Sequence, residues 1–284
     1  MDDLRGFIKR VNETAKGELS IKYLGGPEVI PGFNQAMAVK SGVVDIAYLP
    51  MTYYQGLVAG GEIPMLSRLT AQEERQRGAY NFLLDLHKKG GLFYLGRRSL
   101  GMADQFLIFT NKKVARPQEL AGQMLGKGTI AVAFLQKIGA ISITIPDQEV
   151  YTALERKTID GVIYAVATIA NGGMQEVVRY AIEPGFMTSN VVFIMSLNKW
   201  NSLPNDLQKI LMDAMIWQEG QCPTQNAKQT EKAWDKLLTG GVQKIKFSTD
   251  DEKWFIEALY RAEWDAAIKK YPDIGPQLEK LLSK

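Results

Sequence analysis

Hydrophobic residues near the start of the chain recur first at helical and then at strand spacing. A first helix is predicted by apolar residues three or four positions apart, namely Leu4, Phe7, Ile8 and Val11. The next segment, LSIKYL (19–24), alternates as a strand does and ends at a Gly-Gly pair. A second helix over 33–39 leads to VVDIAYL (43–49), a short apolar run typical of a buried strand.

The same alternation of helix and strand continues through the middle of the chain. In order, the pattern predicts a helix over Ala71–Lys89, strands at LFYLG (92–96) and FLIFTN (106–111), a helix at IAVAFLQKIG (130–139) and a strand at ISITI (141–145). Elements that alternate in this way indicate an α/β fold with a mostly parallel sheet covered by helices.

The last third of the chain is mainly helical. A long helix is predicted over Leu203–Leu238, and Pro223 inside it is expected to kink or interrupt it. The short strand QKIKF (243–247) follows, and then two helices over Thr249–Lys270 and Gly275–Ser283.

Two segments of the chain resemble each other. AVKSGVVDIAYL (38–49) and ALERKTIDGVIY (153–164) each end a helix and begin a strand, with an aspartate, Asp45 or Asp160, seven positions after the alanine. Two interpretations stay open, two ordinary helix-to-strand joints or two similar lobes. Both imply two α/β units.

Composition narrows the classes of function. Apolar residues make up 46% and charged residues 23% of the chain, as in soluble globular proteins. The net charge is +3 with no run of like charge, so nucleic acid is not an expected partner. No apolar run approaches the roughly 20 residues that a membrane-spanning helix needs. The first residues lack the apolar stretch of a secretory signal, so we expect that a signal peptide was removed or that the sequence begins inside the gene.

The residues that usually carry catalysis are scarce. A single cysteine, Cys222, excludes an internal disulfide, and a single histidine, His87, excludes a histidine cluster for zinc. His87 falls at the predicted end of a helix, where a cationic side chain favours the exposed carbonyls. GQMLGKGT (122–129) has the wrong spacing for a phosphate loop, and GxGxxG, GxSxG and HExxH are absent. We therefore expect no catalytic residues, no metal and no cofactor.

Several phrases in a fixed order resemble the solute-binding proteins of TRAP (tripartite ATP-independent periplasmic) transporters. They are DIAYLP (45–50), EIPML (62–66), FTNKKVARPQELAGQML (109–125), IGAISITIPDQEVYTALERKTIDGVIY (138–164) and SLNKWNSLP (196–204). The resemblance covers nearly the whole chain and implies a periplasmic receptor, not an enzyme, that delivers a small organic ligand to TRAP membrane subunits.

The resemblance also implies an architecture. The expected fold is α/β and two-lobed, like type II periplasmic binding proteins, with a long helix that spans both lobes and a ligand enclosed when they close. Residues 1–111 are expected mainly in lobe 1, 112–202 mainly in lobe 2, and 203–284 in the spanning helix and the C-terminal helices. Relatives normally begin with a strand, whereas this chain begins at the first helix.

Family members usually hold a ligand carboxylate with an arginine just after the ELAG link, and here that position is Gly126. Lys127 or Arg98 could supply the positive charge instead. Aromatic rings and methionines are expected to line the site, with two amides as hydrogen-bonding groups: Tyr48, Met51, Tyr53, Met65 and Tyr164, with Gln105 and Asn190. Such a lining favours an organic monoacid with an aromatic or hydrophobic part over a C4-dicarboxylate. The alternatives are an ABC-transporter receptor and, in another class, a two-domain α/β enzyme.

Overall fold

Helices and strands alternate over most of the chain, as predicted. The structure is a computed structural model, and it describes residues 2–98, 105–126, 130–188 and 191–283. Its α-helices are α1 (Asp2–Thr14), α2 (Gly32–Lys40), α3 (Ala71–Gln76), α4 (Ala79–Lys89), α5 (Val132–Lys137), α6 (Val150–Glu155), α7 (Val166–Asn171), α8 (Leu197–Ser202), α9 (Asn205–Thr239), α10 (Thr249–Lys270) and α11 (Gly275–Leu282). Its strands are β1 (Ile46–Pro50), β2 (Leu92–Arg98), β3 (Gln105–Thr110), β4 (Met124–Gly126), β5 (Ile141–Ile143), β6 (Gly161–Ala165), β7 (Tyr180–Thr188), β8 (Val191–Ser196) and β9 (Gln243–Lys246).

The chain divides into two compact units. Unit 1 comprises Met1–Gly101, Ser189–Gln225 and Pro276–Lys284, and unit 2 comprises Met102–Thr188 and Asn226–Gly275. The long helix α9 therefore contributes residues to both units, as expected for a lobe-spanning helix. The expectation had assigned β3 to the first lobe and β8 to the second, whereas β3 lies in unit 2 and β8 in unit 1. Each strand belongs with the sheet that holds its hydrogen-bond partners, wherever it falls in the sequence.

Unit 1 is built on a three-stranded sheet in the order β1-β8-β2, antiparallel throughout. Helix α1 packs on the central strand, with the ring centroids of Phe7 and Phe193 4.9 Å apart. Phe7 and Val11 are fully buried, because residues four positions apart lie on one face of a helix. The helical spacing of the first residues is thus the packing face of α1.

Unit 2 contains a six-stranded mixed sheet in the order β5-β4-β6-β3-β7-β9. Strand β4 runs parallel to β5 and β6, and β7 runs parallel to β9, whereas β3 is antiparallel to β6 and β7. The prediction of a mostly parallel sheet holds for three of the five described strand pairs of this unit and is wrong for the antiparallel sheet of unit 1. Alternation along the sequence does not reveal that β3 and β8 insert between strands from distant parts of the chain. Phe255 of α10 packs against Phe134, Phe186 and Phe247 in the core of this unit.

The predicted strand LSIKYL (19–24) does not form. The backbone N–H of Ile21 donates to Asn12 Oδ1 over 2.7 Å, and Asn12 Nδ2 donates to the Ile21 carbonyl over 3.1 Å. A side chain of α1 therefore satisfies backbone groups that a strand would offer to a neighbouring strand. Tyr23 and Leu24 are exposed.

Two helices differ from their predictions. The helix expected over 71–89 is two helices, α3 and α4, because Gly78 between them adopts a left-handed backbone with φ +84°. Thr70 begins α3 with a capping box closed by Glu73. Pro223 does not interrupt α9, which continues over 35 residues with the proline inside it.

Candidate ligand-binding site

A buried carboxylate in unit 1 is surrounded by polar groups from three other elements. Asp3, in the first turn of α1, is 5% exposed. Its Oδ2 lies 2.9 Å from Arg98 Nε at the end of β2. Its Oδ1 accepts from Gln218 Nε2 and from the Cys222 thiol of α9, each over 3.4 Å, and the Tyr48 hydroxyl of β1 donates to the same carboxylate. We call these five residues the Asp3 cluster.

The neutral donors of the Asp3 cluster keep their protons at physiological pH. Burial raises the pKa of Tyr48 far above its usual value, and Asp3 raises it further against the opposing effect of Arg98. Burial also raises the pKa of the Cys222 thiol to about 12, with a further contribution from Asp3. A protonated phenol and a protonated thiol can only donate to the carboxylate here, and such an unreactive thiol is not a nucleophile.

A second buried network lies beside the Asp3 cluster, within unit 1. Arg97 is paired with Glu74 through two nitrogens, and Ser67 donates to the same carboxylate over 2.5 Å. Arg75 makes a bidentate pair with Glu219, with N–O distances of 2.7 and 2.9 Å. Both arginines are committed to carboxylates of the chain, whereas their neighbour Arg98 enters the Asp3 cluster.

The ring and methionine positions predicted in unit 1 lie in different environments. Tyr48 has its ring centroid 4.5 Å from that of Phe193, so its ring faces the core while its hydroxyl joins the Asp3 cluster. Met51 and Met65 are buried core residues, 0% and 7% exposed. Tyr53 is 37% exposed and lies against Phe33 at the surface. Of the predicted contacts in this unit that the structure describes, Tyr48 and Arg98 are the two that it brings together.

The candidates of unit 2 lie in or beside its sheet. Tyr164 is 4% exposed in β6, opposite Leu107 of β3, and Gln105 begins β3 opposite Thr188. A Cβ atom on Gly126 would meet methyl groups of Ile159 at 3.0 Å and Ile145 at 3.3 Å. The position that usually carries the family arginine is therefore apolar. Two further candidates, Lys127 and Asn190, lie outside the described residues.

Sequence reasoning missed Asp3 and Gln218 and gave His87 the wrong charge. Asp3 and Gln218 are 215 positions apart, and no local pattern connects them. His87 is fully buried, with Nε2 2.9 Å from the Tyr54 hydroxyl and Nδ1 2.6 Å from the Leu83 carbonyl. Burial lowers its pKa to about 4, so the imidazole is neutral and has a structural role.

The described parts of the chain show neither a metal site of acidic, histidine or cysteine side chains nor a membrane-spanning helix. Across residues 2–98, 105–126, 130–188 and 191–283, no three histidine, cysteine, aspartate or glutamate side chains are placed to hold a metal ion. Across the same ranges, none of the helices has the length and apolar character needed to cross a bilayer.

The family model for DctP, bacterial extracellular solute-binding proteins of family 7, matches residues 1–270. The chain belongs to this family. The resemblance to TRAP receptors is thereby confirmed, and so is the two-lobed α/β fold class. The family consists of receptors that bind solutes for transport.

Three proteins illustrate what this chain is similar to. The 2,3-diketo-L-gulonate-binding periplasmic protein YiaO of Escherichia coli K12 is 26% identical over 98% of this chain and 85% of its own length. The monocarboxylate 2-oxoacid-binding periplasmic protein all3028 of Nostoc is 22% identical over 85% of this chain and 68% of its own. A TRAP periplasmic solute-binding protein from Desulfovibrio salexigens, solved with orotic acid, aligns with a TM-score of 0.84 at 20% identity, over 99% of this chain and 92% of its own.

Proposed function

We propose that this chain is the periplasmic receptor of a TRAP transporter and that it delivers a small organic monoacid to TRAP membrane subunits. Family membership supports the receptor role. The ligands named for the three relatives, a monocarboxylate 2-oxoacid, 2,3-diketo-L-gulonate and orotic acid, are all organic acids. The observation that carries the proposal is the Asp3 cluster, in which Arg98 and neutral donors hold a carboxylate away from water.

The charges of the Asp3 cluster favour a monoacid over a C4-dicarboxylate. Arg98 and Asp3 are the charged groups that act on Tyr48 and Cys222. One guanidinium compensates one carboxylate, so a ligand carboxylate that takes the place of Asp3 is compensated by Arg98. The second carboxylate of a diacid would lose its hydration and have no cation beside it. The site therefore suits a ligand with a single acid group.

An aromatic or hydrophobic part on the ligand is proposed from the sequence. The ring of Tyr48 packs on Phe193 in the core, while its hydroxyl reaches the Asp3 carboxylate, so Tyr48 offers a ligand its hydroxyl. The lining predicted from the sequence is rich in rings and methionines, which suits an unsaturated or cyclic body. The remaining candidate contacts stay predictions from the sequence: Met51, Tyr53, Met65, Gln105, Lys127, Tyr164 and Asn190.

Ligand titration tests the proposal. We expect orotate or a 2-oxoacid such as pyruvate, at about one hundred times its Kd, to raise the Tm by about 5 °C or more, whereas succinate and malate leave it unchanged. Isothermal calorimetry on the same acids gives the affinities. Recovery of an unchanged acid from the purified protein would further support a receptor.

Arg98→Lys is the matching variant, because lysine keeps the charge but loses the planar guanidinium that aligns with a carboxylate. It should weaken binding about tenfold or more, and Arg116→Gln, at an exposed arginine of unit 2, should not change it. Strong binding of succinate with orotate and pyruvate inert would contradict the proposed ligand class. A steadily transformed acid would contradict the receptor role.

A further inference from the structure

Four polar side chains surround the Asp3 carboxylate. Arg98 is its ion-pair partner, with Nε 2.9 Å from Oδ2, and Tyr48, Gln218 and Cys222 are its hydrogen-bond donors. One of them is a cation and the other three are neutral. This is the set that a receptor for a carboxylic acid needs, yet a side chain of the receptor itself occupies it.

An incoming acid cannot share the cluster with Asp3. Two carboxylates beside one guanidinium would leave one buried negative charge without a partner, which is among the most unfavourable arrangements in a protein interior. A ligand carboxylate that binds Arg98 must therefore replace that of Asp3.

Asp3 is placed so that it can leave. It lies in the first turn of α1, where the backbone N–H groups have no acceptor within the helix. The rest of α1 is anchored by Phe7 and Val11, both fully buried. Gly6, between Asp3 and the anchor, has the greatest backbone freedom of any residue type.

Gln218 supplies an independent sign that the cluster is built for a further group. Its side chain is fully buried, and its Oε1 atom has no hydrogen-bond donor among the residues that the structure describes. A buried carbonyl oxygen without a donor is uncommon and costs stability. A hydroxyl or N–H group on the ligand would satisfy it once α1 has moved away as far as Gly6, where an added Cβ would lie 2.5 Å from this oxygen.

We infer that Arg98, Tyr48 and Gln218 form the subsite for the carboxylate of the captured acid, and that Asp3 occupies this subsite until the ligand displaces it. The inference rests on the proposed function and specifies how that site recognises its ligand. Because Asp3 competes with every acid, the apparent affinity falls by the fraction of molecules in which the subsite is open. Asp3 thereby sets the ligand concentration at which the receptor fills.

Acetate is the probe for the subsite, since it is little more than a carboxylate. In Asp3→Ala the guanidinium of Arg98 loses the Asp3 carboxylate, and acetate should refill the position. We expect sodium acetate to raise the Tm of Asp3→Ala by several degrees more than sodium chloride at the same ionic strength. It should have no such effect on the wild type, on Asp3→Ala/Arg98→Gln, or on Glu13→Ala, which removes an exposed carboxylate from the same helix.

Orotate gives a second readout. Its affinity should rise about tenfold or more in Asp3→Ala, while uracil, the same ring without the carboxylate, should not gain. Asp3→Asn keeps the shape of the side chain but loses the charge that pairs with Arg98, so it should raise orotate affinity in the same direction by a smaller factor. The test therefore does not depend on one variant folding well.

The outcomes separate this inference from the proposed function. If acetate stabilises Asp3→Ala no more than chloride does, or stabilises the wild type equally, the subsite is refuted. If wild-type protein binds organic acids and neither Asp3 variant changes their affinity, the receptor role stands and the subsite is refuted. If acetate rescues Asp3→Ala but neither wild type nor variant binds any larger acid, the subsite stands and the proposed ligand class fails.

Discussion

Arg97 Nε lies 2.8 Å from Glu74 Oε2, and the two side chains are 1% and 4% exposed. Removing one partner of a buried ion pair leaves the other charge uncompensated in a medium of low dielectric constant. The pair also connects two elements, since Glu74 belongs to α3 and Arg97 to β2. Loss of either side chain should therefore lower the stability of unit 1.

Breaking this pair should destabilise the protein strongly. We expect Glu74→Gln or Arg97→Met to lower the free energy of unfolding by about 3–5 kcal/mol, measured by urea denaturation. The double variant Glu74→Leu/Arg97→Met should lose less than the sum, because no lone charge remains. Arg261→Gln, which breaks the exposed pair with Asp265, is the control and should cost under about 1 kcal/mol.

Two glycines should respond in opposite directions to alanine. A Cβ at Gly96 would lie 2.3 Å from Glu219 Oε1 and 2.8 Å from Met215 Cγ, whereas a Cβ at Gly220 would meet no atom within 4 Å. Gly96→Ala should therefore destabilise by about 1–3 kcal/mol. Gly220→Ala, inside α9, should stabilise by about 0.5–1 kcal/mol, because glycine is unfavourable in a helix interior. Thermal denaturation of both variants checks the sign, and a neutral Gly96→Ala would show that Glu219 can move aside.

His87 should make stability depend on pH in a defined window. Its pKa falls from 6.5 in the unfolded chain to about 4 in the folded protein, so the folded state favours the neutral ring. The stabilisation is complete above pH 6.5 and is lost as the pH falls from there to about 4. Between about pH 7.5 and pH 4, the wild type should lose about 3 kcal/mol more unfolding free energy than His87→Gln, which does not titrate. Parallel curves for the two proteins would contradict the buried neutral ring.

Pro223 should be replaceable with a gain in stability. It lies inside α9, where it removes a backbone donor and crowds the preceding turn. Pro223→Ala should raise the free energy of unfolding by about 1–3 kcal/mol. Pro204, just before α9 begins, provides the control, since a proline there removes no intrahelical bond, and Pro204→Ala should change stability by less than about 0.5 kcal/mol. Equal effects at the two positions would rule out this account of Pro223.

Local pattern was sufficient for most elements of the fold. The helical face of α1, strand β1, the length of α9 and the bounds of α10 follow from spacing and from helix-ending residues within a few positions. The sequence segments quoted between residues 45 and 204 also predicted the family, because family members share these residue types in this order along the chain.

Pairing over long distances was not predictable in the same way. Residues 19–24 have the spacing of a strand, yet Asn12 takes the backbone groups of Ile21. Position 126 is aligned with a family arginine, yet it is a glycine among isoleucine methyl groups. In both cases the local structure depends on residues that are close in space but that the local sequence does not reveal.

The sequence by itself determined the order of helices and strands, the receptor family and the identity of two cluster members, Tyr48 and Arg98. Only the tertiary structure decided that Arg97 is paired internally while the adjacent Arg98 meets Asp3, and that Gln218 and Cys222 complete the cluster. The physical reason is that periodicity is set by backbone geometry over a few residues. The partner of a buried charge depends on which side chains, distant in sequence, are buried next to it in the folded protein.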